Sequence, residues 1–259
     1  MRLRPHRQIC AFIDVLGGAE LFRGRDLRRA EAFLDGLAEF ERRLNGYSRH
    51  FPKKRQSTTL VKTFSDNVLV AFPFGSNKSL ADGELVARFL GELQMQVRQL
   101  TLLAGFPMRG GIVVGSLAMT DQFVFGRALV EAVELEKRAV FPRIVLGESV
   151  LKLIPPDSHA AQMVVRDSDG ASFLHYLESF PAMMATHREF VETGLRGFAS
   201  RPRERQKYEW LAQYHNYFAR EIGQPEHVIE VDREGAFSFR AGTRLPTPFE
   251  ALRLGSRAK

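Results

Sequence analysis

Between Lys62 and Phe72 two apolar runs flank a single polar step, Ser65-Asp66-Asn67. β-Branched and aromatic residues broken by small polar ones predict two strands joined by a tight turn. Asp66 then sits at the tip of a hairpin with its carboxylate displayed. A carboxylate on such a tip can ligate a metal. It can equally be a turn residue, because Asp and Asn favour turns through local hydrogen bonds. The rest of the chain has to decide between these readings.

Ile9 to Ile13 is a short apolar run that ends in Asp14 and is followed by Val15, Leu16, Gly17 and Gly18, a buried strand running into a glycine turn. Asp26 to Leu44 carries Leu27, Ala30, Phe33, Leu34, Leu37 and Phe40 at helical spacing, with Asp26 able to cap its start and Asn45-Gly46 able to stop it. His50 to Arg55 reads as a basic loop before the hairpin, and Phe74 to Asn77 as a loop after it. Leu80 to Leu103 predicts a second long amphipathic helix, ended by Gly105 and Pro107. Met108 to Gly115 predicts a strand whose glycines mark the close approach of another backbone or a ligand. A short strand over Gln122 to Phe125, a third helix over Arg127 to Val140 and a strand over Arg143 to Leu146 follow, then a hairpin from Val164 to Leu177 turning at Asp167 to Gly170.

This order predicts an α+β fold, a largely antiparallel sheet with helices on one face. Beyond it the composition shifts. Arg188 to Arg205 is charged, Tyr208 to Ile222 is aromatic-rich and helical, and Gly223 to Lys259 is polar and basic with little periodicity. The expected division is a core over 1–180 and a C-terminal, partly helical extension over 181–259.

The 259 residues carry a net charge of +7, mostly as scattered arginine, which suits an anionic partner. Cys10 is the one cysteine, so neither an internal disulfide nor a cysteine zinc site can form, and the seven histidines have no zinc-ligand spacing. No run approaches the ~20 apolar residues of a membrane span, and the basic start lacks the apolar length of a signal peptide. The expected location is the cytoplasm.

Asp14 and Asp66, if brought together on adjacent central strands, would repel one another when both are ionised. A divalent cation removes that repulsion, and hard oxygen ligands suit Mg²⁺ or Mn²⁺, which also hold substrate phosphates. Leu16, Gly17, Gly18 and Ala19 follow at once, and small residues there would free backbone N–H groups for phosphate oxygens. A two-metal site of this kind supports in-line attack of a hydroxyl on phosphorus. The competing reading is plain: Asp14 caps a strand and Gly17-Gly18 turn the chain. Arg127, at a helix start, is a further phosphate candidate. Arg109 could meet a phosphate or serve only as a strand residue. Glu131, Glu134 and Glu136 share one helix and read as a solvated face. Tyr208, Trp210, Tyr214, Tyr217 and Phe218 could stack on bases, but their helical spacing favours packing of the extension onto the core.

The motifs together resemble the class III nucleotidyl cyclase catalytic domain. Phe12 to Gly17 stands where that family has Asp-Ile-x-Gly-Phe-Thr after its first strand. Lys62 to Asp66, running on to Phe72, matches Lys-x-x-Gly-Asp and its apolar strand. Arg109 to Gly115 matches Arg-x-Gly-Ile-x-x-Gly, and Gly126 to Glu136 matches a segment ending in Leu-Glu. The match covers roughly residues 8–150. It implies a ferredoxin-like, antiparallel-rich sheet covered by helices. It also implies two Mg²⁺ or Mn²⁺ ions held by Asp14, Asp66 and the backbone carbonyl of Val15. The activity implied is attack of a nucleoside triphosphate's 3′-hydroxyl on its own α-phosphorus with release of pyrophosphate, in a head-to-tail homodimer with sites between subunits. Lys62 falls where adenylate cyclases place a base-reading lysine, and Phe12 and Gly17 join it as candidate substrate contacts.

Two departures redirect the resemblance. The family's Phe-Thr after Gly17 is replaced by Gly18-Ala19, and its transition-state Asn and Arg align with Val130 and Glu134. Val130 has no donor, and Glu134 would repel a triphosphate. Phe12 to Gly17, Ser65 to Asn67, Pro142 to Ile144 and Trp210 to Tyr214 are more similar to the bacterial pyrimidine cyclases of Pycsar antiphage defence. That resemblance implies cyclic UMP or cyclic CMP made as a messenger for a separate effector, with UTP favoured over CTP. The alternatives are an adenylate or guanylate cyclase, a nucleotide-binding regulatory module without chemistry, and a basic nucleic-acid-binding protein. Stable nucleic-acid binding and membrane binding are not expected.

Overall fold

The computed structural model describes residues 4–18, 27–48, 60–74, 81–120, 122–178, 180–231 and 237–241. The Asp26 cap, the basic loop before the hairpin, most of the loop beyond Phe74, Ala19 and the segment past residue 241 lie outside them.

The first strand, β1 (His6–Val15), is the centre of the fold. It pairs antiparallel on one side with β3 (Asn67–Pro73) and on the other with β4 (Met108–Met119). β2 (Leu60–Phe64) forms the predicted hairpin with β3 through Ser65 and Asp66. Ser65 takes the left-handed conformation, φ 58°, at the place where the cyclase motif has glycine. β5 (Val124–Phe125) folds back on β4, and β6 (Ile144–Leu146) pairs parallel to β4. The hairpin β7 (Val164–Asp167) and β8 (Ser172–Leu174) joins β6 through β8. β9 (Phe239–Ala241) pairs with β7. The order is β2-β3-β1-β4-β6-β8-β7-β9, with every pair antiparallel except β4 with β6.

Alternation along β1 sorts two cores, because successive side chains leave a strand on opposite faces. Ile9, Ala11, Ile13 and Val15 enter the larger one. They meet Phe33 and Leu37 of α1 (Leu27–Ser48), Leu85, Leu90 and Leu93 of α2 (Asp82–Leu103), and the C-terminal helices α6 (Met184–Gly197) and α7 (Pro202–Glu221). Cys10 enters the smaller core with Leu69, Ala71, Val113 and Leu117, closed by Ala128 and Ala132 of α3 (Arg127–Arg138). The helices therefore occupy both faces, not one. α3 reaches the second face because Gly111 has no side chain: a Cβ there would stand 2.4 Å from the Ala132 carbonyl. Two four-residue helices, α4 (Glu148–Leu151) and α5 (His159–Gln162), complete the links between β6 and β7.

Two further expectations are corrected. α1 runs through Asn45 and Gly46 to Ser48 and does not stop there. The polar segment after Gly223 contributes a strand, β9, to the sheet. The charged segment Arg188 to Arg205 is largely helical, in keeping with a partly helical extension, and Val191 within it is fully buried. The aromatic helix packs as expected. Trp210 and Tyr214 are wholly buried, and Trp210 Nε1 donates to Asp167 Oδ2 at 2.8 Å. Asp167 is also ion-paired with Arg143, and both side chains are sealed from solvent. Among the described residues, no helix is long and apolar enough to cross a membrane.

Candidate active site

Asp14 has the parity of Cys10 and Phe12, so its side chain leaves β1 on the α3 face, one residue before the strand ends. In register it lies between Asn67 of β3 and Arg109 of β4. Asp66 is brought to the same end because its backbone carbonyl accepts the Val15 N–H at 2.8 Å. Gly18 completes the approach: a Cβ on it would stand 2.5 Å from Asp66 Cβ, so only glycine admits Asp66 at this distance. Gly18 is thus what lets this hairpin tip close against the β1 turn.

Arg109 Nη2 donates to Asp14 Oδ2 at 2.9 Å. The same nitrogen lies 2.6 Å from Glu136 Oε1, in the last turn of α3. That oxygen and Arg109 Nε have no directed hydrogen bond, so the second contact is ionic. Burial raises the Asp14 pKa and the Asp66 charge adds to the rise, while Arg109 and, more weakly, Lys207 oppose it. Glu136 is raised by burial as well, opposed by Arg109 and reinforced by Asp14. One guanidinium is shared by two carboxylates with a third beside them, so the site is short of positive charge.

That deficit suits a divalent cation. No group of three or more His, Cys, Asp or Glu side chains is arranged for a metal among the described residues. The available set is Asp14, Asp66 and the backbone at Val15, all hard oxygens. One or two carboxylates completed by phosphates is the usual manner of holding Mg²⁺, which dehydrates reluctantly and resists all-protein cages. The residues present fit such an ion.

The carboxylates open onto a cavity of about 190 Å³ lined also by Leu16, Gly17 and Pro107, and, from the C-terminal helices, by Phe198, Glu204, Lys207 and Tyr208. Gly17 has φ +87° with nothing within 4 Å of where a Cβ would be. The Leu16 N–H is already given to the Pro107 carbonyl, so this amide is not free for a phosphate.

Phe12, Leu69 and Lys62 form one row across the sheet, since Phe12 and Lys62 both oppose Leu69 in register. Lys62 therefore stands on the Asp14 face, next to a shelf made by Phe12 and half-exposed Phe64, whose rings are 6.1 Å apart.

Arg127 is not brought to the site within its own chain. It opens α3, nine residues before Glu136, about 14 Å away along a helix. Its side chain is 84% exposed and paired with Glu131. Glu136 corrects the opposite way: it is buried against Arg109 rather than part of a solvated face. Val130 is 58% exposed and Glu134 is exposed, both turned away from the smaller core. The lining residues that sequence reasoning missed are Phe198, Glu204 and Lys207; Tyr208, expected to pack the extension onto the core, does so and lines the cavity as well. Lys207 follows the charged run from Arg201 to Arg205, which carries no signal beyond a solvated helix start.

No protein-family model matches the chain, and no curated protein matches it. Among solved structures it is similar to the catalytic core of a rhodopsin-guanylyl cyclase with converted specificity in complex with ATPαS, with a TM-score of 0.48 and 11% identity over 66% of this chain and 96% of that one. It is similar to the guanylyl cyclase Cya2, at 0.46 and 13% over 67% and 93%. It is similar to the adenylate/guanylate cyclase/hydrolase from Silicibacter pomeroyi, at 0.40 and 18% over 65% and 95%. The α+β architecture expected from the sequence, an antiparallel-rich sheet covered by helices, is the one observed.

Proposed function

We propose that this chain is a metal-dependent nucleotidyl cyclase. The observation that carries the reading is the convergence of Asp14 and Asp66, from two separate sequence motifs, at one strand end beside a cavity lined also by Lys207. Asp14, Asp66 and the Val15 carbonyl would hold Mg²⁺ or Mn²⁺, two ions by the cyclase resemblance, and such ions neutralise phosphate charge and polarise the α-phosphorus. Gly17 leaves room for the triphosphate. Arg109 fixes the Asp14 carboxylate, and Glu136 fixes Arg109. The reaction forms a bond from the 3′-oxygen to the α-phosphorus and breaks the bond to the β-phosphate oxygen, with pyrophosphate leaving and the hydroxyl proton passing to solvent or a carboxylate. Phe12 and Lys62 lie on the open face beside Asp14, where a base could stack and be read.

The substrate we favour is a pyrimidine triphosphate, UTP over CTP, giving a 3′,5′-cyclic messenger for a separate effector in antiviral defence. What supports this is the sequence resemblance, together with Val130 and Glu134 at the positions of the adenylate and guanylate cyclase residues. We keep residues 1–180 as the catalytic unit and 181–259 as its extension, acting in the cytoplasm as a homodimer with sites at the subunit interface. A second reading, a nucleotide-binding module without turnover, is favoured by one observation: the Asp14 carboxylate is already engaged by Arg109.

Incubating the protein with each of the four triphosphates and Mn²⁺ tests the reading. Cyclic nucleotide and pyrophosphate are expected from at least one, and their loss in Asp66→Ala. Pyrophosphate release from none, at high enzyme concentration, sinks the cyclase reading. Full activity in Asp66→Ala sinks the metal assignment.

A further inference from the structure

The cavity in front of Asp14 and Asp66 is closed by α7, and Lys207 is the one cation among the described residues that line it. Arg109, the other basic group nearby, is held by Asp14 and Glu136. Lys207 is half-buried and makes no ion pair among the described residues, although its charge reaches Asp14. Glu204, one turn earlier on α7, lines the same wall, and neither it nor Asp14 closes on the ammonium in an ion pair among the described residues, so Lys207 is left as the positive group facing the space. A cation at Asp14 and Asp66 would make the opposite wall positive too. A polyphosphate is the anion that such a space favours, since charge-assisted contacts from both sides would share its oxygens.

Lys207 is also held in place. The Tyr208 ring fills the position a side chain on Gly194 would need, 2.0 Å from its Cβ, so α7 sits close against α6 only because Gly194 is bare. Tyr208 stacks on Phe198, with ring centroids 5.3 Å apart. Two residues beyond Tyr208, Trp210 is tied to Asp167.

We propose that Lys207 is a triphosphate-binding residue, supplied to the site from the C-terminal helix of the same chain and gripping the polyphosphate tail of the nucleotide. This rests on the cyclase reading above and gives the extension a function in it.

The test uses the full chain and inorganic tripolyphosphate, a probe without base or ribose, titrated by calorimetry with Mn²⁺ present. Lys207→Met should weaken tripolyphosphate binding by roughly tenfold to a hundredfold, the usual loss of one charge-assisted contact. Lys207→Arg should restore most of it, which separates lost charge from misfolding. Mn²⁺ affinity without tripolyphosphate should not weaken. Tripolyphosphate affinity unchanged in Lys207→Met overturns the proposal, as does loss of Mn²⁺ binding in that variant while Lys207→Arg behaves likewise. If tripolyphosphate binding depends on Lys207 but none of the four nucleotides is turned over, the phosphate site stands and the cyclase reading falls. If turnover persists with KM unchanged in Lys207→Met, the cyclase stands and the role of Lys207 falls.

Discussion

Replacing Gly18 with alanine adds one methyl group at the point where the β1 turn meets the hairpin. That methyl would stand 2.5 Å from Asp66 Cβ and 3.4 Å from its Oδ2, whereas ordinary contact begins at 3.4 Å. The two segments must part by roughly 1 Å. A displacement of that size at a reacting group costs on the order of 10²-fold in rate. Gly18 has no left-handed backbone to defend, so alanine costs it nothing locally. Gly17 is the mirror case, with φ +87° and open space around it. Gly17→Ala should cost about 1–2 kcal/mol of stability through the backbone while leaving Asp66 in place. Mn²⁺ affinity by calorimetry, nucleotide turnover and thermal melting, measured on both variants, separate the two effects. Gly18→Ala should lose metal affinity and turnover with a small change in melting temperature, and Gly17→Ala should melt earlier with its Mn²⁺ affinity kept. Wild-type Mn²⁺ binding and turnover in Gly18→Ala would refute the account of how Asp66 is positioned.

Arg143→Met removes the cation from buried Asp167, and stranding a buried charge costs about 3–5 kcal/mol. Urea unfolding should show that loss, and a change under ~1 kcal/mol contradicts it; the exposed pair of Arg127 with Glu131 should give far less in Arg127→Ala. Stability should also fall with acid. Burial holds His175 at about 3 and His215 at about 4, against 6.5, and His187 is pushed down by burial and by His215. A histidine whose folded pKa lies below its unfolded one leaves the unfolded chain binding more protons in between. The contribution is therefore full above pH 6.5 and is lost progressively between 6.5 and about 3. A urea midpoint equal at pH 7.5 and pH 5.5 would count against this, since most carboxylates remain ionised at both.

The hairpin of Lys62 to Phe72 was legible because each of its signals is local: two apolar runs, a polar step and an aspartate able to turn. The meeting of Asp14 with Asp66 was legible only as motif order. What the sequence hides is register. Nothing near Arg109 says that it opposes Asp14 across a ladder, and nothing near Glu136 says that it tops a helix on the second face. That helix presents Ala128 and Ala132 to the sheet, small residues whose apolar signal is faint. The C-terminal region misleads in another way. Its buried face includes Gln213, His215 and Asn216, polar residues that read as surface but spend their hydrogen bonds inside. Asn216 both donates to and accepts from the Ile229 backbone, and the His215 Nδ1 meets His187 at 2.9 Å. The aromatic spacing marks this helix as packed, but nothing in it marks Glu204 and Lys207 as the wall of a cavity.

The central place of β1 bears on how the chain is made. It precedes both of its sheet neighbours, and β4 begins only at Met108. Until β3 and β4 emerge, Ile9 to Ile13 is a bare apolar strand with both edges unpaired, the kind of segment that self-associates between nascent chains. Arg4, His6 and Arg7 lie directly before it, and Asp14 ends it. Charges flanking an unavoidable apolar strand act as gatekeepers against aggregation. The carboxylate that is a candidate metal ligand in the finished molecule is thus also the charge that ends this apolar strand before its partners are made.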